Sequence, residues 1–282
     1  MRPARAAAGA LLRVAPSLAP GAERLVWRVL YDLASRGGRQ VETAFMNYGY
    51  ATAGDGVPAD PDQFGRQLYT RVAGPGALAG KDVLDVGCGR GGGTAFVFER
   101  FRPRTMTGLD LAPRAIARCR AKHERPGLTF VAGDAEALPF PDASFDAVLS
   151  VESSHCYPSV TQFLGEAYRV LRPGGLLLLA DFRHTALLDG ADDALIPQED
   201  VACLREQIAT ARFGIVEEED ITADVLRALR LDSANRRSRL ERSVPRPLRR
   251  HALAFAAVEG GAMYRAYEER RWTYLRFILQ KR

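Results

Sequence analysis

Between residues 81 and 182 short apolar runs alternate with stretches whose apolar positions recur every three or four residues. DVLDVG (82–87), TMTGL (105–109), LTFVA (128–132), FDAVLSV (145–151) and LLLLAD (176–181) predict strands. The spacing predicts helices over 92–101, 113–123 and 159–171. In 159–171, Val160, Phe163, Leu164, Ala167, Tyr168 and Leu171 recur at helical spacing. Ser159 and Gln162 form a capping-box pair ahead of them, and RPGG (172–175) stops the helix. Pro113 opens its helix where a missing N–H costs little. Strands and helices alternating at this spacing build βαβ units and a parallel sheet covered on both faces. Right-handed crossovers then bring the strand carboxyl ends to one edge, where such sheets bind ligands.

The flanks follow other rhythms. ERLVWRVLYDLASR (23–36) puts Leu25, Val26, Val29, Leu30 and Leu33 on one helical face, and Gly37 and Gly38 end it. Residues 45–64 form a turn-rich loop before a short helix, 64–73. Beyond 181 the pattern predicts a helix over 197–212, a strand over 213–220 and a last strand over 272–280. Helices broken by Pro245 and Pro247 fill 222–259, an insertion between two edge strands and well placed for a lid. The resulting division is an N-terminal leader and helical cap (1–74), an α/β core (75–221), a helical lid (222–262), and a last helix and strand completing the core sheet (263–282).

Composition narrows the function classes. The 282 residues, 47% hydrophobic and 26% charged, suit one large globular core with appendages. Cys88, Cys119, Cys156 and Cys203 contain no CxxC pair, and the four histidines no HxxxH spacing, so neither a metal site nor a redox dithiol is expected. A reduced, cytoplasmic setting is the simplest reading. Residues 1–22, rich in Arg and Ala and broken by Pro3, Pro16 and Pro20, read as a frayed leader. No apolar run is long enough to span a membrane. The net charge of +5 is uneven: nine arginines (227, 230, 236, 237, 239, 242, 246, 249 and 250) face only Asp232 and Glu241 in residues 225–250. That run is either a solvated helix face or a docking patch for an acidic carrier protein or an anionic membrane surface, which would make the chain peripheral to a membrane. It holds no aromatic residue to stack on bases, which disfavours a nucleic-acid partner.

The segment that carries chemistry is VLDVGCGRGGG (83–93), a strand running into a glycine turn and a helix. Gly87 and Gly89 let the backbone turn sharply against a ligand. With Gly92 they also satisfy GxGxxG, which keeps a nicotinamide oxidoreductase open. Asp110, after the second strand, suits two ribose hydroxyls. Asp85, just before the turn, repels a pyrophosphate and favours a cationic amine. Asp134 and Ala135, in GDAEALPF, offer an acceptor and a backbone N–H at the same edge, fit for an adenine.

Together with LRPGG these motifs resemble the class I S-adenosylmethionine-dependent methyltransferases. The resemblance implies a Rossmann-like, seven-stranded, mostly parallel sheet with its last strand antiparallel. VWRVLYDLASRG, FMNYGY, GCGRGGG, GLDLAP, VESSHCYP and LLLLADFR resemble the phthiotriol and phenolphthiotriol dimycocerosates methyltransferases and related fatty-acid and natural-product O-methyltransferases. The implied cofactor is S-adenosyl-L-methionine, with S-adenosyl-L-homocysteine as product. Tyr48, Asp85, Gly87, Cys88, Gly89, Asp110, Leu111, Asp134, Ala135 and Val151 would hold it. The implied acceptor is a hydroxyl on a hydrophobic lipid, polyketide or glycosylated metabolite. His155, past the fourth strand, is the candidate general base, and Asp181, ending the fifth, the carboxylate that fixes its tautomer. His184 is a substitute base, Tyr50 a second residue to close over the cofactor, and Cys156 part of the wall. N- or C-methylation, or a cyclase on the same fold, would use the same glycine turn.

Overall fold

The computed structural model describes residues 43–185, 199–243, 249, 253 and 257–282. The leader, the helix expected over 23–36, the start of the helix expected at 197 and the prolines of the 222–259 block lie outside the described residues.

The described chain runs α1 (Gln63–Ala73), β1 (Asp82–Val86), α2 (Gly92–Phe101), β2 (Thr105–Asp110), α3 (Pro113–His123), β3 (Leu128–Ala132), β4 (Phe145–Val151), α4 (Val160–Val170), β5 (Leu171–His184), α5 (Val201–Thr210), β6 (Phe213–Asp220), α6 (Thr222–Leu231), α7 (Ser233–Ser243), α8 (Ala262–Glu268) and β7 (Trp272–Lys281). The seven strands form one sheet in the order β3-β2-β1-β4-β5-β7-β6. The first five are parallel, and β7 is antiparallel to both neighbours. This is the sheet that the resemblance implies, and both faces are covered. Val83, Leu149 and Leu178 turn toward α1, α2, α3, α6 and α8. The alternate positions Leu84, Val148 and Leu177 turn toward α4 and α5. The period-2 alternation of side chains thus splits the core into two layers.

Caps set two helix starts. Ser159 Oγ accepts the Gln162 N–H ahead of α4, and Asp200 Oδ1 accepts the Cys203 N–H at 2.8 Å, so α5 begins at Val201. RPGG does not separate helix from strand, because β5 already begins at Leu171. The register jumps from Phe145↔Leu171 to Ala147↔Leu176, and Gly174, at φ +74°, sits inside that irregularity.

The last strand corrects one expectation. The lid block does not join two edge strands, since β7 lies inside the sheet between β5 and β6. The physical reason is in the residues: Tyr274, Phe277 and Leu279 are buried, whereas Ile215 and Val216 of β6 are exposed. The buried Arg276 of β7 is tied to Glu217 and Glu219 of β6, which fastens the acidic edge strand to its neighbour.

Candidate active site

Chain order reverses between β1 and β4, so the crevice outside their carboxyl ends is the expected ligand position. A cavity of about 330 Å³ opens there. Tyr48, Gly87, Cys88, Gly89, Asp110, Leu111, Asp134, Ala135, Val151 and His155 all line it. Asp85 lies buried beneath the turn and Asp181 behind His155. Tyr50 is not on the wall; its N–H donates to Phe64 O, and the ring is directed elsewhere. His184 packs at a tilt against Trp272, with ring centroids 4.0 Å apart, and is also off the cavity wall.

The glycine turn is shaped by necessity. Gly87 has φ +79°, and a Cβ there would stand 2.3 Å from Ser153 Cβ. The Gly87 and Cys88 amides both donate to Leu109 O, which bends the turn over β2. Asp110 then locks it, accepting the Gly89 N–H on Oδ2 and the Ala112 N–H on Oδ1, each at 2.9 Å. Each carboxylate oxygen keeps a further lone pair for a ligand hydroxyl. Burial raises the Asp110 pKa, and the two amides oppose that.

Asp85 supplies the test for a cationic ligand. Burial pushes its pKa up to about 7, against the Thr94 hydroxyl that donates to Oδ2 at 2.6 Å. Its Oδ1 is buried with no hydrogen-bond partner. An ammonium group over the turn would be attracted by that carboxylate when it is ionised, whereas a pyrophosphate would be repelled by it. The residues present therefore fit an amino-acid-bearing sulfonium nucleoside.

At the β4–β5 end the chain builds a relay. His155 Nδ1 lies 2.8 Å from Asp181 Oδ1, and the His155 amide donates to Oδ2 at 2.9 Å. Ser154 Oγ and the Phe182 amide also donate to this carboxylate, and Arg183 lies 3.5 Å away. Burial alone would raise the Asp181 pKa; the His155 and Arg183 charges and these donors hold it well below the usual carboxylate range. Burial works against protonating His155, but the Cys156 sulfur and the Asp181 carboxylate outweigh it, and the imidazole pKa stands well above its usual value. With Nδ1 engaged by Asp181, Nε2 is the nitrogen left for proton transfer.

Another wall is one that sequence reasoning reached only at Tyr48. Residues 44–48 lie across the turn, close enough that a Cβ on Gly92 would stand 2.5 Å from Ala44 O. The strap is pinned at both ends. Asp62 accepts the Ala44 N–H at 3.0 Å, and Glu152 Oε1 accepts the Tyr48 N–H at 2.7 Å. Arg236 of α7 donates to Tyr48 O at 2.7 Å and pairs with Asp232. Phe182 stacks on Tyr48 with centroids 5.6 Å apart. No described residue of 222–262 lines the cavity; that block reaches it through Arg236 and the strap. The Arg-rich run is accordingly not one uniform solvated face. Arg227 is bound to Asp224 and Ala51 O, and Arg239 to Asp232. Only FMNYGY hinted at the strap in the sequence, and nothing local singled out Glu152.

Comparison with known proteins agrees with this geometry. A methyltransferase-domain model matches residues 84–179. The phthiotriol/phenolphthiotriol dimycocerosates methyltransferase of Mycobacterium tuberculosis is 37% identical over 264 residues, covering 91% of this chain and 92% of that protein. The fatty-acid O-methyltransferase of Mycolicibacterium smegmatis is 37% identical over 271 residues, covering 90% and 92%. Among solved structures, the cyclopropane synthase MmaA2 from Mycobacterium tuberculosis superposes with a TM-score of 0.73 at 16% identity, covering 89% of this chain and 95% of that one. The [4+2]-cyclase SpnF does so with 0.66 at 21%, covering 89% and 93%. These two share the fold. The sequence relatives carry the assignment: this chain belongs to the family of S-adenosylmethionine-dependent methyltransferases that includes the phthiotriol/phenolphthiotriol dimycocerosates methyltransferases.

Proposed function

We propose that the protein methylates a hydroxyl oxygen on a hydrophobic lipid, polyketide or glycosylated secondary metabolite, with His155 as general base and Asp181 orienting it. The observation that carries this reading is the His155–Asp181 pair, 2.8 Å apart, with His155 on the wall of the cavity formed by the glycine turn. An alcohol is a poor nucleophile while protonated, and a positioned base contributes about 10²–10⁴-fold. The fatty-acid O-methyltransferase relative supports oxygen as the acceptor atom and a lipid as its carrier.

In this reading Asp85 meets the cofactor's amino group, Asp110 its ribose hydroxyls, and Asp134 with the Ala135 N–H its adenine. Gly87, Cys88 and Gly89 let the backbone approach it, while Leu111, Val151 and Tyr48 cover its apolar surface. Bound S-adenosyl-L-methionine supplies an electrophilic methyl group and leaves as S-adenosyl-L-homocysteine. His155 Nε2 takes the acceptor's proton, and Asp181 stabilises the imidazolium that results. The strap 44–48, braced by α7, keeps water from the cavity. This gives the 222–262 block its lid role at second hand.

Transfer of labelled methyl from the cofactor to long-chain hydroxylated acceptors tests the proposal, with a methyl ether as the expected product. Methylation at nitrogen or carbon, or ring closure without methyl loss, would replace it with the N-/C-methyltransferase or cyclase reading. Nicotinamide binding would revive the oxidoreductase. Contact with an acidic carrier or an anionic membrane surface belongs to the same proposal. It would run through arginines of 225–250 outside the inward pairs, and it requires activity on a carrier- or vesicle-bound acceptor to fall with added salt.

A further inference from the structure

Glu152 follows the last residue of β4, three residues before His155, and has no part in the proton transfer just described. It lines the same cavity. Its φ of +49° is in the left-handed region, which a glutamate adopts only when its surroundings hold it there. That conformation is held in place by two donors on one oxygen: Oε1 accepts the Tyr48 N–H at 2.7 Å and the Tyr274 hydroxyl at 2.9 Å. Among the described residues Oε2 has no partner. Burial raises the carboxyl's pKa to about 7, and the nearby Asp181 charge adds to this against the two donors.

A residue needed only to brace the strap has no reason to face the cavity. Asp62 shows the contrast. It holds the other end of the strap, at the Ala44 N–H with both oxygens, and does not line the cavity. The rings beside Glu152, Tyr48 and Phe182, present apolar faces. Beside those faces Oε2 is a polar point open to a ligand hydroxyl, and it accepts a hydrogen bond from that hydroxyl when the carboxyl is ionised.

We propose that Glu152 is a specificity-determining residue in the acceptor half of the site: its Oε2 accepts a hydrogen bond from a second hydroxyl of the acceptor, adjacent to the one presented to His155, and so selects a neutral vicinal diol over a lone alcohol. The inference rests on the alcohol-methylating reading above and deepens it. A buried acceptor left unpaired by the wrong ligand is the physical basis of such discrimination, which reaches tenfold and beyond.

The test is equilibrium binding of a vicinal decanediol and the two matching decanols to the S-adenosyl-L-homocysteine-loaded protein, buffered well above the Glu152 pKa of about 7 so that the carboxyl is ionised. Wild type is expected to prefer the diol by about tenfold or more, the value of one charge-assisted hydrogen bond. Glu152→Gln keeps a carbonyl for Tyr48 and Tyr274 but replaces the anionic oxygen with an amide, and the preference should fall to about twofold or less. Glu152→Asp keeps the charge and withdraws it from the cavity. It should lose the preference as well, and it serves as the second variant if the first fails to retain S-adenosyl-L-homocysteine. Equal binding of diol and decanols by wild type, or a preference that survives both substitutions, would overturn the inference. A Glu152-dependent preference without methyl transfer would leave it standing and remove the alcohol-methylating reading. Methyl transfer to diol and decanols with equal kcat/KM would do the reverse.

Discussion

His155 and Asp181 are 26 residues apart in the chain, yet their side chains meet at 2.8 Å because β4 and β5 are parallel neighbours. The pairing is a consequence of the sheet. Val151 lies opposite Ala180, so the residues just beyond that pair emerge together at the carboxyl edge. Replacing His155 with Ala is expected to lower kcat at least ~10²-fold, the loss of a general base. Affinity for S-adenosyl-L-homocysteine should change little. Single-turnover transfer and a binding titration separate the two effects.

The pH dependence follows from the same pair. A base works when neutral, so activity rises as pH climbs through the imidazole pKa. That pKa is raised, despite burial, by Cys156 and Asp181, so the ascending limb of kcat/KM should lie above the ordinary histidine value of about 6.5. Asp181→Asn removes the charge that favours imidazolium. The limb should then move to lower pH while the plateau rate drops. A limb that stays in place would separate Asp181 from the base.

The sheet and the glycine turn were readable because both leave local marks. Apolar runs bounded by helical stretches place β1 to β5, and DVGCG needs its glycines for a turn no other residue makes. The His155–Asp181 pair was readable only through strand adjacency. Long-range packing hid the rest. The interior position of β7 depends on which strand hides Tyr274 and Phe277 from water, and no local pattern states that. The strap is a loop in sequence and becomes a wall only through Glu152, Asp62 and Arg236, each far from it in the chain.

Asp110→Asn is expected to weaken cofactor binding by about tenfold or more, since a charge-assisted hydrogen bond is worth roughly 1.5–3 kcal/mol. The amide oxygen can still accept one of the two backbone N–H groups that Asp110 now holds, so the turn should remain folded. Calorimetric titration with S-adenosyl-L-homocysteine, beside a thermal melt of the unliganded protein, checks both parts.

Gly87→Ala tests the turn itself. The new methyl would stand 2.3 Å from Ser153 Cβ in a backbone with φ +79°. Overpacking of this kind costs about 1–3 kcal/mol, and the left-handed backbone adds about 1–2 kcal/mol. Chemical denaturation should show a loss in that range, with cofactor binding abolished.

Arg236→Ala should loosen the strap, because its guanidinium holds Tyr48 O from α7. Dissociation of S-adenosyl-L-homocysteine is expected to accelerate several-fold. Arg237→Ala, one position along at the exposed surface, should leave that rate unchanged. Equal effects of the two would reduce the strap contact to general charge.

The most direct measurement is a crystal structure of the complex with S-adenosyl-L-homocysteine. The ribose hydroxyls are expected on Asp110, the amino group over Asp85 Oδ1, and the sulfur facing the space in front of His155 Nε2. A ribose bound away from Asp110, or a sulfur facing away from His155, would contradict the shared cavity on which the proposed catalysis depends.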